Sequence, residues 1–322
     1  MKRPGIVFAC VTLALLLLAI IALGIGRYPI NLFGPLDATA QDVLLRIRAP
    51  RVLAALLVGA ALAAAGAAYQ QLFRNPLVSP DILGVSAGAA LGAVLGIFLS
   101  KDVVTIQAMA FLGGIITVTL VYWIGNAVRG HDPLLTLVLA GVLIGALAGA
   151  GVGLLKYTAD PYNQLPAITF WLLGSLAGIA PADLLGALPA VLIGLLPLWL
   201  LRWQIDTLSL GDEEARALGV AVRPVRLLVV AGATLITAAV VSVAGIIGWV
   251  GLLVPHMARL LVGPRFVLLL PASLLLGAGY MLAVDTLARG MVALEIPLGI
   301  LTALLGTPVF LWVLLKARRR WQ

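Results

Sequence analysis

The sequence predicts an all-α polytopic membrane protein with ten transmembrane helices. Three observations carry this: 62% of the 322 residues are hydrophobic, only 11% are charged, and the residues free of Asp, Glu, Lys and Arg fall into ten long runs. A soluble chain is about 25% charged, and a globule of this length could not hide so much apolar surface. A soluble enzyme is therefore excluded, whereas the apolar residues suffice for about ten spans of about 20 residues each. The lone cysteine, Cys10, lies in the first apolar run, which excludes a disulfide framework and a cysteine-based metal site. The net charge of +8 reads as loop asymmetry across a bilayer rather than nucleic-acid binding.

In chain order the runs are Pro4–Gly26, Val52–Phe73, Ile82–Ser100, Val103–Val128, Pro133–Leu155, Pro161–Ala182, Leu184–Leu201, Leu227–Ala258, Phe266–Val284 and Ile296–Leu315. The first is long for a cleaved leader and is read as a span. Pro161–Ala182 and Leu184–Leu201 are separated only by Asp183, and two spans cannot reverse direction there, so one does not cross. The first of the pair opens Pro-Tyr-Asn-Gln and contains Pro166; it is expected to be an outer-face loop with a short helix near Ile168–Ala177, within 164–178. Conversely, Leu227–Ala258 would be about 48 Å long as one helix, against a hydrocarbon core of about 30 Å. Gly245, Gly248, Gly251 and Pro255 are expected to break it into a span ending near Ala244 and a short one from about Gly248 to Val262.

Orientation follows from the Lys and Arg count with the N-terminus inside. Inside fall Lys2, Arg3, Arg74, Arg129, Arg202, Arg216, Arg223, Arg226, Arg259, Arg265, Lys316, Arg318, Arg319 and Arg320. Outside fall Arg27, Arg46, Arg48, Arg51, Lys101, Lys156 and Arg289. Without the two corrections the segment from Arg202 to Arg226 would move outside and the asymmetry would vanish.

Gly88, Gly92 and Gly96 on helix 3, and Gly141, Gly145, Gly149 and Gly153 on helix 5, recur every four residues, a face on which backbones can touch in lipid. Tight packing alone is one reading of these stripes and a pathway-lining role for helix 3 the other; helix 5, with Thr136 near its inner end, is the better candidate for a sliding face. Asp285 and Arg289 share a face near the outer end of helix 9. No carboxylate falls at a span midpoint, as an ion-coupled secondary transporter would need. No G-x-x-x-x-G-K-[ST] loop occurs, so the chain is not expected to hydrolyse ATP itself, and if it is a pump something else must drive it. His131 lies in a short inner loop, and His256 is expected to hydrogen-bond backbone freed by Pro255.

Three segments depart from a plain bundle. Arg46-Ile47-Arg48-Ala49-Pro50-Arg51, just before helix 2, violates the inside bias and suits carboxylates on a partner or snorkelling to lipid phosphates. Leu208 to Gly219, in the longest inner loop, has Ser209 or Asp212 to cap a short helix, three acids at its positive end and Gly219 to stop it. Such a helix suits a groove on a cytoplasmic partner better than the membrane surface, where a basic polar face is usual. Arg74 to Val85, with Pro76 and Pro80, is a stiff inner turn opening helix 3.

The motifs Arg48-Ala49-Pro50-Arg51, Gln70-Gln71-Leu72-Phe73-Arg74-Asn75-Pro76-Leu77 to Gly84, and Leu210-Gly211-Asp212-Glu213-Glu214-Ala215 with Leu218-Gly219 stand in order. They are followed by Gly251-Leu252-Leu253-Val254-Pro255-His256-Met257-Ala258-Arg259, Asp285 with Arg289, and Glu295-Ile296-Pro297-Leu298-Gly299 to Gly306-Thr307-Pro308-Val309-Phe310. Together they resemble the permease family of the cobalamin, haem and ferric-siderophore ABC importers (the FecCD/BtuC type). The resemblance implies a single transmembrane permease domain over 1–322, with helices 2–5 and 7–10 as inverted repeats and both termini cytoplasmic. It implies a second permease subunit, identical or a paralogue, around a path lined mainly by helices 5 and 10, with a gate at about Gly130–Leu135 that includes Pro133, Leu134 and Leu135. Two cytoplasmic ATPase subunits would receive the coupling helices, about 204–223, through Ser209, Leu210, Gly211, Asp212, Glu213, Glu214, Ala215, Leu218 and Gly219. An outer-face substrate-binding protein would dock on Arg48, Arg51 and Arg289. ATP and Mg would sit on the ATPase partners, and no cofactor on this chain. The implied activity is ATP-driven uptake of an iron chelate, a ferric siderophore or haem, across a bacterial or archaeal inner membrane; the short outer-face helix with Thr169 to Ser175 slightly favours that cargo over cobalamin, and molybdate or tungstate is a further alternative. Readings from other classes are an ion-coupled secondary transporter and a non-transporting membrane scaffold.

Overall fold

The computed structural model describes residues 4–26, 28, 30, 34–35, 37–128, 133–290 and 295–317, and all of its regular structure is helical. Seven helices are long and apolar enough to cross a membrane. They comprise α1 (Pro4–Gly24), the continuous helical stretch Ala38–Leu72, α5 (Val103–Ala127), α6 (Pro133–Thr158), α8 (Pro181–Leu200), α11 (Val222–Ala244) and α13 (Phe266–Gly290). The remaining α-helices are α4 (Val85–Phe98), α7 (Gln164–Leu173), α9 (Arg202–Leu208), α10 (Asp212–Ala217), α12 (Val250–Val262) and the 20-residue α14 (Leu298–Ala317). Inner and outer below follow the charge count.

The stretch Ala38–Leu72 starts well before the expected Val52. It consists of α2 (Ala38–Asp42), a π-turn at Val43–Arg48 and α3 (Ala49–Leu72). Pro50 cannot donate to the helix ladder, and its ring needs room against the preceding turn; the wider π-turn supplies that room, with Ala49 N–H bonded to Leu44 C=O. The arginine segment is therefore helical and wound against its neighbours, not a loop before a helix. At the start of α4, a 3-10 turn at Pro80–Leu83 ends at Gly84, whose φ of 78° is left-handed.

Both corrected runs fold as expected. The ten-residue α7 does not span. The chain after α11 breaks for five residues, 245–249, before α12 begins at Val250. The break lies against the end of α7 and the start of α14: Ser175 N–H donates to Ala244 C=O and Leu298 N–H to Gly174 C=O, both at 2.9 Å. His256 departs from expectation. Neither ring nitrogen has a hydrogen-bond partner among the described residues, and the ring instead meets Phe310 edge-on at 6.3 Å.

α3 and α11 form the buried centre. α3 packs on α13, α11 and α12; α11 packs on α8, α3 and α5; α4 packs on α5 and α6. Backbones also touch between α3 and α13, where a Cβ built on Gly59 would stand 2.1 Å from Gly277 O and one on Gly277 2.3 Å from Gly59 O.

Candidate functional site

The inner end carries a compact unit built from α9 and α10. Gly211, at φ 138°, turns the chain between them, and Asp212, Glu213 and Glu214 fill the first turn of α10 where acids favour the positive end of the helix. Its end is a Schellman motif: Gly219, at φ 81°, donates to Arg216 C=O, and Val220 N–H to Ala215 C=O, each at 2.9 Å. Gly219 thus stops the helix as its position suggests. The capping expected of Ser209 or Asp212 is not made: Gly211 is the N-cap, and Ser209 Oγ donates to Asp206 C=O at 2.6 Å. Ala215 is buried, whereas Glu213, Glu214 and Gly219 are exposed, and Leu210 and Leu218 are 63% and 54% exposed.

Two aspartates fasten this unit to the membrane helices. Asp212 takes two 2.9 Å hydrogen bonds from Nη2 of Arg226, a buried residue of α11. Asp206 accepts the N–H of Phe266 at the start of α13, that of Val267 at 3.4 Å, and Nε2 of Gln71 at the end of α3 at 3.4 Å. Burial pushes the Asp206 carboxyl above its usual range, opposed by the N–H groups of Phe266 and Val267 and the charge of Arg265. The Asp206 bonds set the 202–219 segment at the same end as the 73–84 turn. Beside it opens a groove of about 700 Å³ lined in part by Trp203, Leu210, Leu218 and Arg265. Asp206, Gln71 and Arg226 are absent from the sequence-derived site because their partners are distant in the chain.

At the outer end Arg48, Arg51 and Arg289 come together; all are buried and each guanidinium is turned into the fold rather than outward. Arg51 Nε meets Asp285 Oδ1 at 2.8 Å and its Nη1 meets Glu295 Oε2 at 2.9 Å. Arg289 Nε lies 3.3 Å from Asp285 Oδ2, and its Nη2 donates to Ala22 C=O at 2.7 Å. Arg48 donates to the carbonyls of Leu23 and Gly24, at 2.9 and 2.8 Å, and of Tyr28. The carbonyl end of α1 thus absorbs cationic charge, and the three arginines hold the outer ends of α1, α3 and α13. The solvent-facing cation of this motif is Arg46, 3.1 Å from Asp42, with both side chains largely exposed.

The glycine stripes divide. On α4, a Cβ at Gly88 would stand 2.1 Å from Thr117 Oγ1 and one at Gly92 2.0 Å from Met109 O, so that stripe is packing against α5. On α6, Gly141 abuts Ile82 O in the inner turn, but nothing lies within 4 Å of Cβ positions at Gly149 and Gly153. Of the expected gate, Leu134 is buried and Pro133 and Leu135 are exposed at the start of α6; Gly130, His131 and Asp132 lie outside the described residues.

Residues 7–316 match the model of the FecCD transport family. The chain is 40% identical to the molybdate import system permease protein MolB of Haemophilus influenzae, over 98% of this chain and 97% of that one. It is 39% identical to the hemin transport system permease protein HmuU of Yersinia pestis, over 95% of each. A solved metal-chelate-type ABC transporter in an inward-facing conformation superposes with a TM-score of 0.90 at 41% identity, covering 98% of this chain and 100% of that one. With a helical membrane fold and a match over nearly its whole length, this chain belongs to the FecCD transport family: it is an ABC importer permease subunit of the cytoplasmic membrane, and not itself an ATPase.

Proposed function

We propose that this permease imports an iron chelate, a ferric siderophore or haem, by ATP-driven alternating access. The observation that carries the mechanism is the α9–α10 unit, which bares Leu210, Leu218 and two acids to the inner side while Asp206 and Asp212 fix it to α3, α13 and α11. Ser209 to Ala215 with Leu218 and Gly219 are the surface offered to a cytoplasmic ATPase. In this proposal two ATPase subunits hold ATP and Mg, a second permease subunit completes the path, and a substrate-binding protein delivers cargo outside. Both termini are cytoplasmic, and residues 1–322 form one domain.

In this reading the ten spans are α1, α3, α4, α5, α6, α8 and α11 to α14, with α3–α6 and α11–α14 as inverted repeats. Two features support it. The second member of each repeat is short, at 14 and 13 residues for α4 and α12. The packing of α3 on α13 is matched by that of α11 on α5, the pair an exchange of repeats generates. The binding protein is assigned to the outer rim, with Arg46 as its accessible cation and Arg48, Arg51 and Arg289 shaping the rim beneath.

The likeness to hemin and metal-chelate transporters supports the iron-chelate reading. The likeness to a molybdate permease over almost the full length favours a second reading, import of a tetrahedral oxyanion. Reconstituted complex supplied in turn with labelled ferric siderophore, haem and molybdate separates them by which label accumulates. Replacing Asp212–Leu218 by a Gly/Ser linker is expected to release the ATPase from the purified permease; co-purification at the parental yield would refute the coupling role.

A further inference from the structure

Resting on the coupling role proposed above, we infer that Asp206 is the positioning residue that joins the coupling unit to a two-helix rod, α3 with α13, running to the outer ion cluster. It reaches no nucleotide or cargo; it acts through the helices it ties together.

The rod is fastened at three levels. At the inner end one carboxylate bridges both helices, accepting Phe266 N–H from α13 and Gln71 Nε2 from α3. In the middle the backbones touch at Gly59 and Gly277. At the outer end Arg51 of α3 is paired with Asp285 of α13 at 2.8 Å, both side chains buried. The 25 residues of α13 span about 37 Å, so one stiff element runs from the coupling unit to the arginine rim. Asp206 lies on α9 rather than on the rod, and its carboxylate accepts the first N–H groups of α13 as a local N-cap would, since Arg265, just before the helix, has no acceptor side chain. Its own backbone carbonyl accepts Ser209 Oγ, which locks the turn leading into α10. The second aspartate, Asp212, fastens the unit to α11 instead, so a push on α10 has two exits, and Asp206 is the one that leads into the rod. Coupling between distant sites needs a contiguous element that both ends bias; here each joint is a named contact.

The test uses the permease assembled with its ATPase subunits in lipid nanodiscs, with Cys10→Ser and a nitroxide at Leu287→Cys near the outer end of α13. ATP with vanadate is expected to change the label's spectrum in this parent. Asp206→Ala is expected to abolish that change while the ATPase stays bound and hydrolysing, and Asp206→Asn, which keeps a carbonyl acceptor for Phe266 N–H, to restore it. An undiminished change in Asp206→Ala overturns the inference. Amide exchange in the permease alone is read alongside: the first turn of α13 is expected to exchange faster in Asp206→Ala and at the parental rate in Asp206→Asn. Parental exchange in Asp206→Ala overturns the joint whatever the ATPase does, whereas a parent that binds no ATPase but shows the exchange difference defeats the coupling role and leaves the joint standing. If Asp206→Ala does not assemble, Gln71→Leu carries the same measurements by cutting the α3 tether. A smaller spectral change then supports the rod, and a full one overturns it.

Discussion

Asp285 serves two guanidiniums at once, Arg51 at 2.8 Å and Arg289 at 3.3 Å, with no exposure of its own side chain. Removing one partner of a buried pair leaves an uncompensated charge and costs about 3–5 kcal/mol. Asp285→Leu strands two arginines beside Glu295 alone, whereas Arg51→Met leaves Asp285 paired with Arg289. Asp285→Leu is therefore expected to lower the detergent-solubilised unfolding midpoint more than Arg51→Met, and the reverse order would show that Arg51, not Asp285, is the hub. Only part of this was legible beforehand. The i, i+4 relation of Asp285 and Arg289 is local and readable from spacing, but Arg51 finds Asp285 across 234 residues. The three arginines read as outward-facing because a charge count assigns a side of the membrane and says nothing of where a guanidinium points.

Among the elements, the glycines show the same division between what spacing reveals and what packing decides. Stripes at four-residue intervals on α4 and α6 stand out in the sequence, yet the tightest contact between long helices uses Gly59 and Gly277, which belong to neither. A methyl at Gly59 would lie 2.1 Å from Gly277 O and 2.5 Å from Met281 Cβ, so α3 and α13 must separate to admit it, an overpacking cost of about 1–3 kcal/mol. Gly59→Ala is expected to destabilise the isolated permease, and Gly149→Ala to leave it unchanged. Equal thermal midpoints for the two variants would mean that the helices part freely there. Helix existence and the two irregular runs were legible because run length against bilayer thickness, and the impossibility of reversing within three residues, are hard constraints. The extension back to Ala38 was not, since its polar, charged turn resembles a loop until the π-turn accommodates Pro50.

For the whole molecule, the question is which face would meet the second permease subunit proposed above. Exposed leucine and valine are no guide, because lipid covers them as readily as protein does; what lipid covers poorly is bare backbone, and helices associate there through small residues. The outer half of α6 has that character. Gly149 and Gly153 have open space at their Cβ positions, Leu143, Leu147 and Leu154 elsewhere on α6 are more than 60% exposed, and only the inner half of the stripe meets neighbours, at Gly141 and Gly145. The surface is thus built for close approach but unfilled by this chain. Gly149→Leu combined with Gly153→Leu fills it from two positions whose Cβ atoms would meet nothing within 4 Å. The variant is expected to keep the thermal stability of the single permease chain while losing either pairing, read by native mass spectrometry in detergent, or uptake by the reconstituted complex. Loss of pairing assigns the face to the subunit interface, whereas retained pairing with lost uptake assigns it to the path. Parental behaviour in both assays would make the outer stripe a lipid-facing surface and move the search for the interface to α14.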